Sequence, residues 1–173
     1  MTGPHTSKTD EEFFAAIGRL TISWGHLGIG LDGIVEILYY GFNGKTLVDE
    51  IPRSLSRKIT FMRAALRRLP IGEEAINGFM MLLDKIETAS QKRHDIIHGV
   101  VIEHTEGSGE ATMVRATRGK NGVTKREFKV TTTTILRAAN EAQKLSGTVL
   151  RWLTETHRVI DELAQRGNGQ TPS

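Results

Sequence analysis

Residues 79–105 read FMMLLDKIETASQKRHDIIHGVVIEHT, and the hydrophobic period changes inside them. Ile76, Phe79, Leu83, Ile86, Ser90, Arg93 and Ile97 recur every three or four positions, the spacing of one helix face. From Val100 onward the alternation has period two, the spacing of a strand. Gly99 stands at the change, placed to close the helix in a left-handed C-terminal cap. The stretch predicts a long helix from near Glu73 that passes its chain directly into a β element.

Working upstream, Ser54 caps a helix carrying Leu55, Ile59, Met62, Leu66 and Leu69, with Pro70 beyond it. Gly41 to Pro52 is a loop. Before it, Thr9-Asp10-Glu11-Glu12 has capping-box spacing. Phe13, Ile17, Leu20, Trp24, Leu27, Leu31, Val35 and Leu38 then form one apolar stripe to about Tyr40. Gly18, Ile22, Gly25, Ile29 and Gly33 occupy the other side of this helix. Each interior glycine costs roughly 1 kcal/mol relative to alanine, so such a face needs a reason. Either a second subunit approaches there, or the helix packs loosely within one subunit.

Working downstream, Val100–Thr105, Ala111–Arg118 and Val123–Val130 read as strands. Glu106 to Glu110 and Gly119 to Gly122 join them as turns. After Thr131–Thr134 a last helix carries Ile135, Ala139, Ala142, Leu145, Val149, Trp152, Val159 and Leu163, ending near Arg166. The expected fold is mainly α: an up-and-down four-helix bundle with a small antiparallel β-meander, about residues 100–130, between its third and fourth helices. One domain spans 9–166, and 1–8 and 167–173 are expected to be flexible ends.

The 173 residues suffice for one ordinary domain. With no cysteine in the chain, disulfides, thiolate metal sites and a cysteine nucleophile are excluded. No apolar run reaches membrane-span length and the first residues are polar, so a cytoplasmic protein without membrane contact is expected. The net charge is only +3, but cations cluster. Arg53, Arg57, Lys58, Arg63, Arg67 and Arg68 lie within 51–72 without an acid. Arg115, Arg118, Lys120, Lys125, Arg126 and Lys129 lie within 115–129 against Glu127 alone. Such clusters suit a phosphate backbone, and equally a solvated helix face and hairpin.

Arg93, His94, Asp95 and His98 crowd the end of the third helix. At 100° per residue Arg93 and His98 diverge by ~140° around it. They flank the stripe of Leu83, Ser90 and Ile97, with His94 close to the stripe and Lys92 and Ile96 pointing away. Three readings are open. Arg93 pairs with a carboxylate while His98 caps the helix, as a cation suits its dipole. Alternatively, His94 and His98 chelate a metal with Asp95, Glu103 or His104, although no established zinc pattern surrounds them. In the third reading, histidine moves protons near neutrality while arginine holds a phosphodiester. Two copies about a twofold axis would then line one cleft with two such sets.

The segment RHDIIHG resembles the R-x4-H form of the HEPN-domain motif. Arg93 is its arginine, His94 the polar companion that is most often asparagine, and His98 its histidine. SWGHLGIGLDGIVEIL is similar to the W-x-x-L-E-x-x-L first helix of bacterial HEPN-like proteins. The resemblance implies a four-helix domain that dimerises with its motif helices facing. It also implies a metal-independent endoribonuclease of toxin–antitoxin or phage-defence type, needing no cofactor, with an antitoxin or other partner protein. Other members are silent modules that bind protein, nucleotide or RNA. On this reading Arg93, His94 and His98 are catalytic, and Arg115, Arg118, Lys120, Lys125, Arg126 and Lys129 track RNA. Gly28 stands where the first-helix pattern commonly has glutamate, which leaves Arg93 without an acidic partner there.

Ser23 and Ser90 lack a nucleophile-elbow context. Gly25, Gly28 and Gly30 lie within a helix pattern and make no phosphate loop. Trp24 and Trp152 fall on apolar stripes and read as core, while His26 and His157 read as surface. Asp32 and Glu36, four apart on one face, are the acids that could reach Arg93.

Overall fold

A computed structural model describes residues 7–119 and 122–168, with side chains as far as His157. The described chain is mainly helical: α1 (Lys8–Glu36), α2 (Leu55–Leu66), α3 (Glu73–His98) and α4 (Thr132–Asn168). Between α3 and α4 lies an antiparallel sheet of β1 (Val100–Thr105), β2 (Glu110–Gly119) and β3 (Gly122–Thr131), paired in sequence order. Lys120 and most of the expected flexible ends lie outside the described residues, as do the side chains of Val159 and Leu163. None of the described helices is long and apolar enough to cross a membrane.

The first helix starts earlier than its Thr9 signal. Ser7 is the cap: its Oγ accepts from the Asp10 N–H at 3.2 Å and donates to the Asp10 carboxylate at 2.8 Å. The deciding partners come from far along the chain. Asp10, only 4% exposed, also accepts from His104 Nε2 at 2.8 Å and from the Gly107 N–H at 3.3 Å. At its other end α1 widens into a π turn over Ile37–Gly41, close to the expected limit at Tyr40.

Helix α1 packs chiefly along α4, and two hydrophobic clusters sit on this pair. One joins Phe13, Ala16 and Leu20 to Ile96 of α3, to Ala111, Met113 and Val130 of the sheet, and to Ile135. The other joins Leu27, Leu31 and Val35 to α2, α3 and Val149. The first half of α1 thus meets the sheet and the second half meets α2, with α3 and α4 common to both, and half-buried Trp24 touches both clusters.

The small-residue face of α1 divides. A Cβ on Gly30 would meet Val149 Cγ1 at 2.7 Å, and one on Gly33 would meet Leu153 Cδ2 at 3.0 Å, so these two let α4 come close. A Cβ on Gly18, Gly25 or Gly28 would meet nothing within 4 Å. Ile22 and Ile29 beside them are 62% and 68% exposed. Packing within the subunit therefore explains Gly33 of the expected face, and leaves Gly18, Ile22, Gly25 and Ile29 uncovered.

The junction at Gly99 differs from its sequence reading in two respects. Gly99 is extended, with φ −75° and ψ 147°, because the chain continues straight into β1. Its missing side chain answers a close approach instead: a Cβ there would lie 2.7 Å from the Asp95 carbonyl and 3.0 Å from Met113 Cε. Ile96, expected to point away from the core, is 8% exposed. The sheet and α1 close over the end of α3 from that side, so Ile96 packs with Phe13, Leu20 and Met113.

Strand β2 pairs with β3 without interruption from Glu110↔Thr131 to Gly119↔Gly122. The β1–β2 register slips between Val101 and Glu103, a bulge that leaves Ile102 unpaired. Side chains alternate across a sheet. Ala111, Met113 and Arg115, with their partners Val130, Phe128 and Arg126, therefore face the helices. Arg118, Lys125 and Lys129 take the opposite face.

Candidate functional site

The end of α3 is held from three directions: by Ile96 in the core, by Gly99 under Met113 and Phe128, and by Asp95 beneath the sheet. Arg115 Nη1 donates to Asp95 Oδ1 at 2.5 Å, and these side chains are 20% and 16% exposed. Arg126, exposed and 5.4 Å over the Phe128 ring, donates to the other carboxylate oxygen. Two of the six cations expected to track RNA thus form a clamp on the motif helix. Arg118, Lys125 and Lys129 are exposed on the far face of the sheet, and Lys120 is not among the described residues. The period of two already separated these groups, since Arg115↔Arg126 is a direct cross-strand pair.

The clamp fixes the helix turn that carries the motif. Although Arg93 and His98 leave the helix on different sides, the arginine arm spans the difference, and Nη1 lies 3.3 Å from His98 Nε2. Arginine only donates, so the imidazole lone pair sits on Nε2 in this contact. The His94 ring meets the His98 ring edge to face, centroids 4.5 Å apart. Desolvation, and then the charges of Arg115, His98 and Arg93, hold the His94 pKa below the ordinary histidine value, with Asp95 opposing. His94 therefore stands as a neutral imidazole at neutral pH, able to donate and accept one hydrogen bond each.

Arg93 has no carboxylate partner among the described residues, and its Nε is buried without any hydrogen bond. Of the two acids offered by the sequence, Asp32 pairs with Lys58 of α2, and Glu36 is not among the residues lining the cleft of Arg93. Gly28, the position where an acid was expected to be missing, lines the same cleft as Arg93. A buried guanidinium nitrogen without a partner is costly, which makes Arg93 the unsatisfied cation of this region.

The reading of a metal held by His94 and His98 lacks a third ligand. Asp95 is taken by two arginines and His104 by Asp10, while Glu103 pairs with Thr112 on the far face of the sheet. Among the described residues no group of three or more candidate ligands could hold a metal ion.

Around Arg93 opens a cleft of about 610 Å³ between α1, the start of α2 and the end of α3. Arg93, Arg115 and Lys58 supply its charge, neutral His94 lines it beside them, and no acid is among its lining residues. Its α1 wall is Thr21, Trp24, Gly25, Gly28 and Leu31. Trp24, assigned to the core from its periodicity, is half-buried and lines this cleft. Lys58 and Trp24 are the site residues that sequence reasoning missed. Lys58 belonged to a recognised basic run, but nothing local distinguished it from its neighbours.

Fold and site together define a mainly helical domain that carries a cationic, histidine-flanked cleft at the junction of a helix with a sheet. No protein-family model matches this chain, and no curated protein or solved structure matches it significantly.

Proposed function

We propose that the chain is a HEPN-like, metal-independent endoribonuclease acting as a homodimer, with its helices forming the four-helix bundle of that family. The observation that carries this reading is the contact of Arg93 Nη1 with His98 at 3.3 Å, beside an Arg93 Nε that has no hydrogen-bond partner among the described residues. Arg93 holds the scissile phosphate through its fork of donors. His98 acts as general acid or base. The ribose 2′-hydroxyl loses its proton and attacks the adjacent phosphorus. The 5′-oxygen leaves with a proton, giving a 2′,3′-cyclic phosphate and a 5′-hydroxyl end. Neutral His94 orients one of these groups, replacing the asparagine usual in the motif. A second protomer supplies the second set of groups, and the uncovered Ile22 and Ile29 of α1 offer it apolar surface. The reading places the protein in the cytoplasm, in a toxin–antitoxin or phage-defence role with an antitoxin or other partner.

A second reading is a catalytically silent dimeric module that binds a protein, nucleotide or RNA. The same contact favours it, because Arg93 occupies the lone pair that His98 needs as a base. Purified wild type and His98→Ala incubated with mixed RNA in EDTA separate the two. Cleavage to cyclic-phosphate ends, lost in the variant while the dimer persists by light scattering, is the expected result. An intact RNA pool with wild type would leave only the silent module. Cleavage that EDTA abolishes would return the histidine pair to a metal role.

A further inference from the structure

The cleft beside Arg93 contains two glycines that the fold does not use. Gly30 and Gly33 admit α4, but a Cβ on Gly25 or Gly28 would touch nothing within 4 Å. Both lie in the middle of a long helix, where glycine is unfavourable, and both line the cleft. Their effect is to keep its α1 wall open. The same wall carries Trp24, and α3 contributes Arg93, whose Nε is buried without a hydrogen-bond partner among the described residues. Lys58 and Arg115 also line the cleft but already have carboxylate partners in Asp32 and Asp95. Ser56, Ser90 and Gln91 add neutral donors and acceptors. A volume of about 610 Å³ falls in the roughly 300–1,000 Å³ range of small-ligand sites.

We infer that this cleft is a single-nucleotide subsite: the phosphate lies on Arg93 and the base enters over Gly25 and Gly28 against Trp24. A cation without a carboxylate partner among the described residues and an aromatic side chain in one cleft match an anionic group joined to a flat ring, and a lining without acids fits a negative ligand. This inference rests on the reading of an RNA-handling protein and names how that site would hold one unit of its ligand. It makes Trp24 a stacking platform and gives the glycines of α1 a binding role.

The test uses Trp152→Phe protein, so that Trp24 is the only tryptophan. It is titrated with a 2′-O-methyl oligoadenylate, which cannot be cleaved through its 2′-oxygen, with an abasic strand of equal length, and with adenosine monophosphate. Binding of the oligoadenylate should quench Trp24, and the abasic strand should bind about tenfold more weakly, a typical loss for one stacked base. Gly28→Leu fills the cleft and should abolish both the quenching and the preference, while Gly18→Leu, equally open on the same helix but outside the cleft, should leave both intact, with circular dichroism confirming that both variants fold. Oligoadenylate that binds by anisotropy without quenching, or equally to Gly28→Leu, overturns the subsite and leaves the RNA reading standing. Quenching by adenosine monophosphate without oligonucleotide binding supports the subsite and overturns the RNA reading. Binding of none of the three overturns both.

Discussion

Asp95→Asn tests whether the sheet holds the motif helix in place. The carboxylate accepts from Arg115 at 2.5 Å, with side chains 16% and 20% exposed, and from Arg126, whose side chain is 63% exposed. A hydrogen bond to a charged group contributes about 1.5–3 kcal/mol. Removing one partner of a fully buried pair costs about 3–5 kcal/mol, but this pair is only mostly buried. The Arg126 arm belongs on the surface scale of about 0–1 kcal/mol. Asparagine keeps the shape and one acceptor, so the expected loss is about 2 kcal/mol, weighted to Arg115. For a domain of this size that corresponds to a Tm lower by about 4–8 °C. Urea denaturation followed by circular dichroism measures it for Asp95→Asn, Arg115→Gln and the double variant. The double variant should be more stable than the sum of the singles predicts, by about 1–2 kcal/mol. Strict additivity, or an Asp95→Asn midpoint equal to wild type, would refute the clamp. The substitution also frees two cations, so any RNA binding should become more steeply salt-dependent.

Two further outcomes follow from geometry elsewhere. Gly30→Ala should lose about 1–3 kcal/mol by overpacking against Val149, whose Cγ1 lies 2.7 Å from the added carbon. Gly18→Ala, facing open space, should gain up to about 1 kcal/mol; similar denaturation midpoints for the two would contradict the close α1–α4 seam. His104 donates from Nδ1 to the Glu110 carbonyl at 2.9 Å and from Nε2 to Asp10. The Glu110 carbonyl and then Asp10 raise its pKa above the ordinary histidine value, and Glu106 adds to this while desolvation opposes. A raised folded pKa means stabilisation that is complete below the unfolded value near 6.5 and disappears as pH rises through the folded one. The stability difference between wild type and His104→Gln should therefore be largest below the unfolded value and shrink as pH rises through the raised folded one. At the acid end it falls again, because Ser7 first and His104 next lower the Asp10 pKa, and that contribution is lost as pH drops through the lowered value. A difference constant from about pH 5 to 9 would show that His104 does not titrate in its bonds.

Local pattern made the elements legible. The change from helical period to period two at Gly99, the Ser54 cap and the three strands depend on neighbours in sequence, and the structure places them within one or two residues of their signals. The crowding of Arg93, His94 and His98 was legible for the same reason, since they lie within six consecutive positions, but their contact depends on the reach of the arginine arm around the helix. What local pattern leaves degenerate, long-range contacts decide. Ser7 and Thr9 both head acceptable capping sequences, and the burial of Asp10 against His104 selects Ser7. Ile96 and Ile97 both suit an apolar face, and the sheet closing over α3 buries Ile96.

By itself the sequence determined a mainly helical chain, a β-meander after the third helix, and the crowding of arginine and histidine where the two meet. Periodicity and turn chemistry act over a few residues, so no partner was needed to read them. Tertiary structure alone decided that Arg115 and Arg126 spend their charge on Asp95 and that Lys58 spends its own on Asp32. It also left Arg93 without a carboxylate among the described residues, in a cleft walled by Trp24 and two open glycines. A charge finds its partner through space, and which cation remains unpaired depends on every neighbour the fold brings near.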